Sequence, residues 1–107
     1  SMKINKKLHV KVGDKVEVIA GNQKGLIGVI TTVNQKKLVA NIDGVIPRIR
    51  YAKNPQGGEA RKMEIPISIH ISNLMLWDTE NNTSSRIGYK TINDQKQRYF
   101  KKSGNLV

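Results

Sequence analysis

Three strand-like runs fall between Lys15 and Ile42 with only short turns between them. Lys15-Val16-Glu17-Val18-Ile19-Ala20 alternates polar with apolar. Ile27-Gly28-Val29-Ile30-Thr31-Thr32-Val33 does the same, with Ile27, Val29 and Val33 on one face, and Lys37-Leu38-Val39-Ala40-Asn41-Ile42 follows the Asn34-Gln35-Lys36 turn. A period of two marks a half-buried strand. Runs this close together leave no room for a helix between them, so they are expected to pair as an antiparallel meander, the seed of a small barrel. Composition agrees: Ile and Val number 22 against 10 for Leu and Ala together, and branching at Cβ suits a pleated surface.

Beyond Ile42 the alternation breaks. Asp43 to Lys62 holds Gly44, Pro47, Pro55, Gly57 and Gly58 among Arg48, Arg50, Lys53, Arg61 and Lys62, and reads as a long basic loop or hairpin. Ile65, Ile67, Ile69 and Ile71 then recur at every second residue, which predicts a half-buried strand with Pro66 at its start or on an edge. Ser72 to Asp78 is the next expected strand, Asn81 to Ser85 a turn, and Arg86–Lys90 and Lys96–Phe100 two short strands around Asn93-Asp94. The last five residues are expected to fray. No internal repeat and no helix is predicted, so the fold class is all-β.

The chain has 107 residues, one small domain with a modest core and no cysteine to staple it. Its apolar content is slightly under the globular norm, which argues against wholesale disorder. The longest apolar run, Leu74-Met75-Leu76-Trp77, is far short of the ~20 residues a bilayer helix requires, and no apolar signal core stands at the amino end. A soluble protein is expected, and Ser1 reads as an addition ahead of a native Met2. With 19 Lys+Arg against 8 Asp+Glu, the formal charge is +11. The basic residues gather at both ends and in the central segment, leaving residues 65–85 without any. Such a distribution fits a polyanion partner, because each phosphate neutralised releases condensed counterions.

Between the first two runs lies Ala20-Gly21-Asn22-Gln23-Lys24-Gly25-Leu26-Ile27-Gly28. Glycine permits a positive φ and lets backbone N–H groups approach a phosphate, to which Lys24 adds charge. A hairpin turn whose glycines serve geometry alone is the other reading. It is no nucleotide-binding P-loop, since no Lys-Ser/Thr follows the last glycine. His9 and His70 stand apart with no second ligand, so neither a metal site nor a catalytic base is expected. Asp14 and Glu17 are expected as surface charges. Trp77 is expected in the core. Tyr99 and Phe100 fall on opposite strand faces, so one should be buried and the other free to lie on a partner.

Val12 to Ile30, with Gly25 at its central glycine, resembles the KOW motif of ribosomal proteins and transcription elongation factors. Gln56-Gly57-Gly58, Pro66 to Leu76, Arg86-Ile87-Gly88-Tyr89 and Lys96 to Gly104 resemble, in order and spacing, the bacterial and plastid family of large-subunit ribosomal protein twenty-four. The likeness covers nearly the whole chain. It departs after the third strand, where Ile46, Ile49, Arg50 and Tyr51 stand in place of an Asn and a Lys-His pair. Met75-Leu76-Trp77 and the abundance of Ile, Lys and Asn look more like a plastid or cyanobacterial lineage.

The resemblance implies an SH3-like KOW barrel over residues 3–45, a basic loop or hairpin over 46–64 and a C-terminal β extension over 65–107 packed on the barrel. It implies a structural role without chemistry or cofactor, in a plastid or bacterial ribosome. Members bind the 5′ domain of large-subunit ribosomal RNA early in assembly, among neighbouring ribosomal proteins, near the peptide exit tunnel. A monomer is expected off the ribosome, with no membrane partner. The candidate RNA contacts are Gly21, Lys24, Gly25 and Gly28 on one backbone, Lys3, Lys6, Lys7 and Lys11 on a second, and Arg86, Gly88, Lys90, Arg98, Lys101 and Lys102 on a third, with Arg48, Arg50 and Lys53 from the central segment. The rivals are a KOW docking module of a transcription elongation factor and, without a catalytic cluster to support it, a small RNA-processing enzyme.

Overall fold

A computed structural model describes residues 8–45 and 47–107. The meander forms as expected: β1 (Lys15–Val18), β2 (Ile27–Asn34) and β3 (Val39–Ile42) pair antiparallel in sequence order. Residues 65–107 do more than pack on it. β6 (Ser68–His70) pairs with β3, β7 (Leu74–Asp78) with β1, and β8 (Thr83–Ser85) with β7, giving one six-stranded sheet in the order β6-β3-β2-β1-β7-β8. The remaining strands make two separate hairpins, β4 (Arg48–Ala52) with β5 (Arg61–Ile65), and β9 (Ile87–Ile92) with β10 (Gln95–Phe100). The fold is all-β, and the hairpin alternative holds for the central segment.

The face assigned to β2 is corrected. Ile27 and Val29 lie on the exposed side, whereas Ile30 is buried. Ile30 pairs with Ile42 and Thr32 with Asn41, so three residues of β2 span two of β3. A bulge at Thr31 absorbs the extra residue and resets the phase, letting Ile30 and Val33 both reach the core. Strict alternation cannot survive a bulge, and that is why the pattern misled.

The isoleucine run is also broken up. Ile65 closes β5, Ile69 sits in β6, and Ile71 opens a short 3-10 helix, Ile71–Asn73. Burial still alternates, with Ile69 and Ile71 inside and Ser68 and His70 outside, but Pro66 ends the hairpin pairing. β6 does form an edge of the sheet. The predicted turn at Asn81–Ser85 stops at Asn82, since Thr83–Ser85 is β8. Asn93 and Asp94 form the expected two-residue turn, both with positive φ, at 52° and 61°.

The core comprises Val10, Val16, Val18, Ile30, Ala40, Ile42, Ile69, Ile71, Leu74, Leu76 and Phe100. Phe100 carries the β9–β10 hairpin into it, and Ile87 packs alongside. Trp77 is not core: on β7 the buried positions are Leu74, Leu76 and Asp78, so Met75 and Trp77 face the other way and are half-buried. Nor does the tail fray. Phe100 N–H donates to Asn105 O at 2.8 Å and Val107 N–H to Arg98 O at 3.0 Å, while Leu106 bridges to Tyr99. Ser103 Oγ donates to buried Asp78 at 3.0 Å, and Asn105 Nδ2 to Glu80 at 2.9 Å. Asp78 also accepts from Asn81, and these hydrogen bonds, that of the Asn81 side chain first, hold its carboxyl below the ordinary aspartate value of 3.8.

Candidate nucleic-acid interface

The Gly21–Gly25 loop is a tight turn closing β1 onto β2. Gly25 has φ 95° and its N–H donates to Val18 O at 2.8 Å, so a β-branched residue there would strain the closure. Lys24 N–H donates to Gly21 O and Leu26 N–H to Gln23 O. The loop therefore satisfies its own donors from Lys24 onward. Those of Gly21, Asn22 and Gln23 have no partner among the described residues. The Lys24 side chain is exposed and unpaired.

Gly28 does not belong to this surface. It pairs with Val16 on the inward face, and a Cβ there would stand 2.2 Å from Asp43 O and 2.6 Å from Ile42 Cγ2. Its bareness lets the end of β3 cross closely. Gly88 is corrected for a related reason. Instead of facing outward toward RNA it is buried beneath its cross-strand neighbour, and a Cβ would lie 2.6 Å from the Tyr99 ring. What approaches this glycine is an aromatic side chain of its own hairpin. Phe100, on the other face, is buried, and Tyr99 is half-buried. Lys90 Nζ lies 5.0 Å from the Tyr99 ring centre, and Lys96 Nζ 4.5 Å from that of Tyr89 on the opposite face.

Arg98 is likewise an internal group. Its two terminal nitrogens donate to the Asp14 carboxylate at 2.7 and 2.9 Å, and one also donates to His9 O at 3.2 Å. Asp14 is buried, not a surface charge, and it also accepts Lys11 N–H at 2.8 Å. The Asp14 hydrogen bonds raise the Arg98 guanidinium's affinity for its proton. This forked pair ties the β9–β10 hairpin to the segment entering β1, and it occupies the donors that an RNA phosphate would need.

Among the described residues, the other lysines and arginines are exposed. Lys11, Arg48, Arg50, Lys53, Arg86 and Lys101 have no side-chain partner among the described residues. Lys102 Nζ reaches only Thr83 Oγ1, at 3.4 Å. Lys101 N–H donates to Arg86 O, which brings those two side chains to one groove beside Met75 and Ile87. Lys3, Lys6 and Lys7 lie outside the described residues.

The β4–β5 hairpin adds residues that sequence reasoning left off the site. Its register sets Ile49 opposite Glu64 and Tyr51 opposite Lys62 on one face, with Arg48, Arg50 and Arg61 on the other, beside Met63. Both faces are open, with Tyr51 69% exposed, and neither strand packs closely on the main sheet. Arg61 becomes recognisable only once the pairing is known. Among the described residues no group of His, Asp and Glu is arranged to hold a metal ion.

Comparison with known proteins bears on what carries this surface. Residues 12–46 match the KOW motif, and residues 46–107 match the C-terminal domain of large ribosomal subunit protein uL24. The second match decides the family, because a KOW module alone would account only for the first. The chain belongs to the uL24 family. It is 44% identical to large ribosomal subunit protein uL24 of Geobacillus stearothermophilus, covering 94% of this chain and 98% of that protein. It is 38% identical to uL24c of Pisum sativum and to uL24c of Arabidopsis thaliana, covering all of this chain but 56% and 55% of theirs. The chain thus spans little more than half the length of its chloroplast relatives and nearly all of its bacterial one.

Proposed function

We propose that the chain is a structural RNA-binding protein of the large ribosomal subunit in a bacterium or plastid, acting as a clamp on separate RNA segments. The observation that carries this reading is the contrast among its cations. Arg98 is spent on the fold, while Lys24, Arg48, Arg50, Arg61, Arg86 and Lys101 stand exposed and unpaired on three separate elements. Holding several unpaired cations apart on one folded scaffold suits the phosphates of a folded polyanion. The finer reading assigns the RNA to the 5′ domain of the large-subunit molecule, with entry early in assembly and a final position near the peptide exit tunnel beside other ribosomal proteins.

Footprinting on a large-subunit RNA transcript tests it. Protection should fall within the 5′ domain, and affinity should drop on the order of a thousandfold from low to moderate salt as roughly six or more phosphate contacts weaken. Protection scattered over other domains, or a flat salt titration, would contradict it.

A further inference from the structure

A polar groove of about 460 Å³ runs between the Gly21–Gly25 loop, β6 and the base of the β4–β5 hairpin. That volume lies within the roughly 300–1,000 Å³ of sites for small ligands. Asn22 and Gln23 line it from the loop, Asn73 from the 3-10 helix, His70 from the end of β6, and Arg48 from the hairpin.

These groups arrive from three separate stretches of the sequence, and most of their hydrogen-bonding capacity is uncommitted. The side chains of Asn22, Gln23, Asn73 and Arg48 have no partner among the described residues, and neither do the N–H groups of Gly21, Asn22 and Gln23. The loop is held against the groove by Ile19 N–H donating to Asn73 O at 2.8 Å. His70 is held too: its Nδ1 accepts from Ser72 N–H, which places the ring proton on Nε2.

We propose that this groove seats one unpaired nucleotide of the RNA. The inference rests on the RNA-binding reading above and goes beyond it, since phosphate clamping alone needs no amides. Arg48 and the free N–H groups of Gly21 to Gln23 meet the phosphate. The side-chain amides of Asn22 and Asn73, each both donor and acceptor, meet the edge of the base, and the His70 ring adds a flat face and an N–H. A base in a duplex cannot enter a groove of this kind, so the site selects a looped-out or bulged nucleotide. Lys24 lies outside the groove lining and supplies charge alone.

Affinity and its salt dependence separate the two kinds of contact, measured with the whole chain and a large-subunit RNA transcript. Asn22→Ala with Asn73→Ala should weaken binding about tenfold or more, lose protection at a single nucleotide, and leave the slope of log affinity against log salt unchanged, because amides release no counterions. Arg48→Ala should lower that slope by about one. Asn22→Ala alone, at an exposed loop position, should lose the same protection with a smaller loss of affinity if the double variant folds poorly. Wild-type affinity and an intact footprint in the amide variants would overturn the groove while leaving RNA binding standing. Failure of the wild-type chain to bind the transcript would overturn both.

Discussion

β7 and β4 are both five-residue strands, the first almost wholly apolar and the second alternating arginine with apolar residues, and they meet opposite fates. In β7, Leu74, Leu76 and Asp78 are buried against the sheet's core, while in β4 the arginines and the apolar residues between them are all exposed up to Ala52. The difference lies in what stands opposite. Among the described residues, β7 joins β1 and β8 over a core formed from eleven buried side chains, whereas β4 has only β5 as a neighbour. Alternation in β7 separates inside from outside and stabilises the fold. In β4 it separates two wet faces, one carrying arginines and one carrying Ile49 and Tyr51, so it leaves two different chemistries exposed instead of building core.

The largest test of that contrast is to truncate one apolar residue in each strand. Leu76→Ala, at a position only 2% exposed, should cost about 3 kcal/mol in urea unfolding, whereas Ile49→Ala should stay within ~0.5 kcal/mol. Equal losses would mean that the hairpin belongs to the core. Next in size is the Asp14–Arg98 pair. Removing either partner strands a poorly solvated charge, and Asp14→Ala or Arg98→Ala should cost about 2–3 kcal/mol. The salt slope of RNA affinity should not change in Arg98→Ala. A slope lower by about one, with stability intact, would return Arg98 to the RNA surface.

Smaller effects are expected at Gly28 and Gly88, the two glycines whose Cβ positions are crowded. Gly28→Ala drives a methyl group into backbone at Asp43 and should cost about 2 kcal/mol. Gly88→Ala meets only the end of the Tyr99 side chain, which can pivot, so about 1 kcal/mol is expected with RNA affinity retained in the folded fraction. The smallest effect is on pH. Asp78 has a lowered pKa in the folded chain, so its stabilisation is complete above 3.8 and is lost as the pH falls through the lower folded value. The acid limb of an unfolding titration should flatten in Asp78→Asn.

Much of this architecture was legible in the sequence, and the failures share a cause. Val16 and Val18 in β1, the antiparallel meander and the Asn93-Asp94 turn follow from local period and turn chemistry. The bulge in β2 could not be seen, because inserting one residue changes the phase without changing composition. Gly88 and Arg98 were misassigned because their partners, Tyr99 and Asp14, are set by pairing register and by a contact across 84 residues. The exposed lysines and arginines could be read as basic segments. Which of them share a face, and which converge with Asn22 and Asn73 on one groove, required the topology.

On the proposed function, the hairpin's arginine face is free of the fold and meets RNA phosphates. Combined Arg48→Gln, Arg50→Gln and Arg61→Gln substitutions, followed by salt titrations of affinity for large-subunit RNA, test it most directly. With the melting temperature unchanged, the slope of log affinity against log salt should fall by about two to three. An unchanged slope in a folded triple variant would contradict the account.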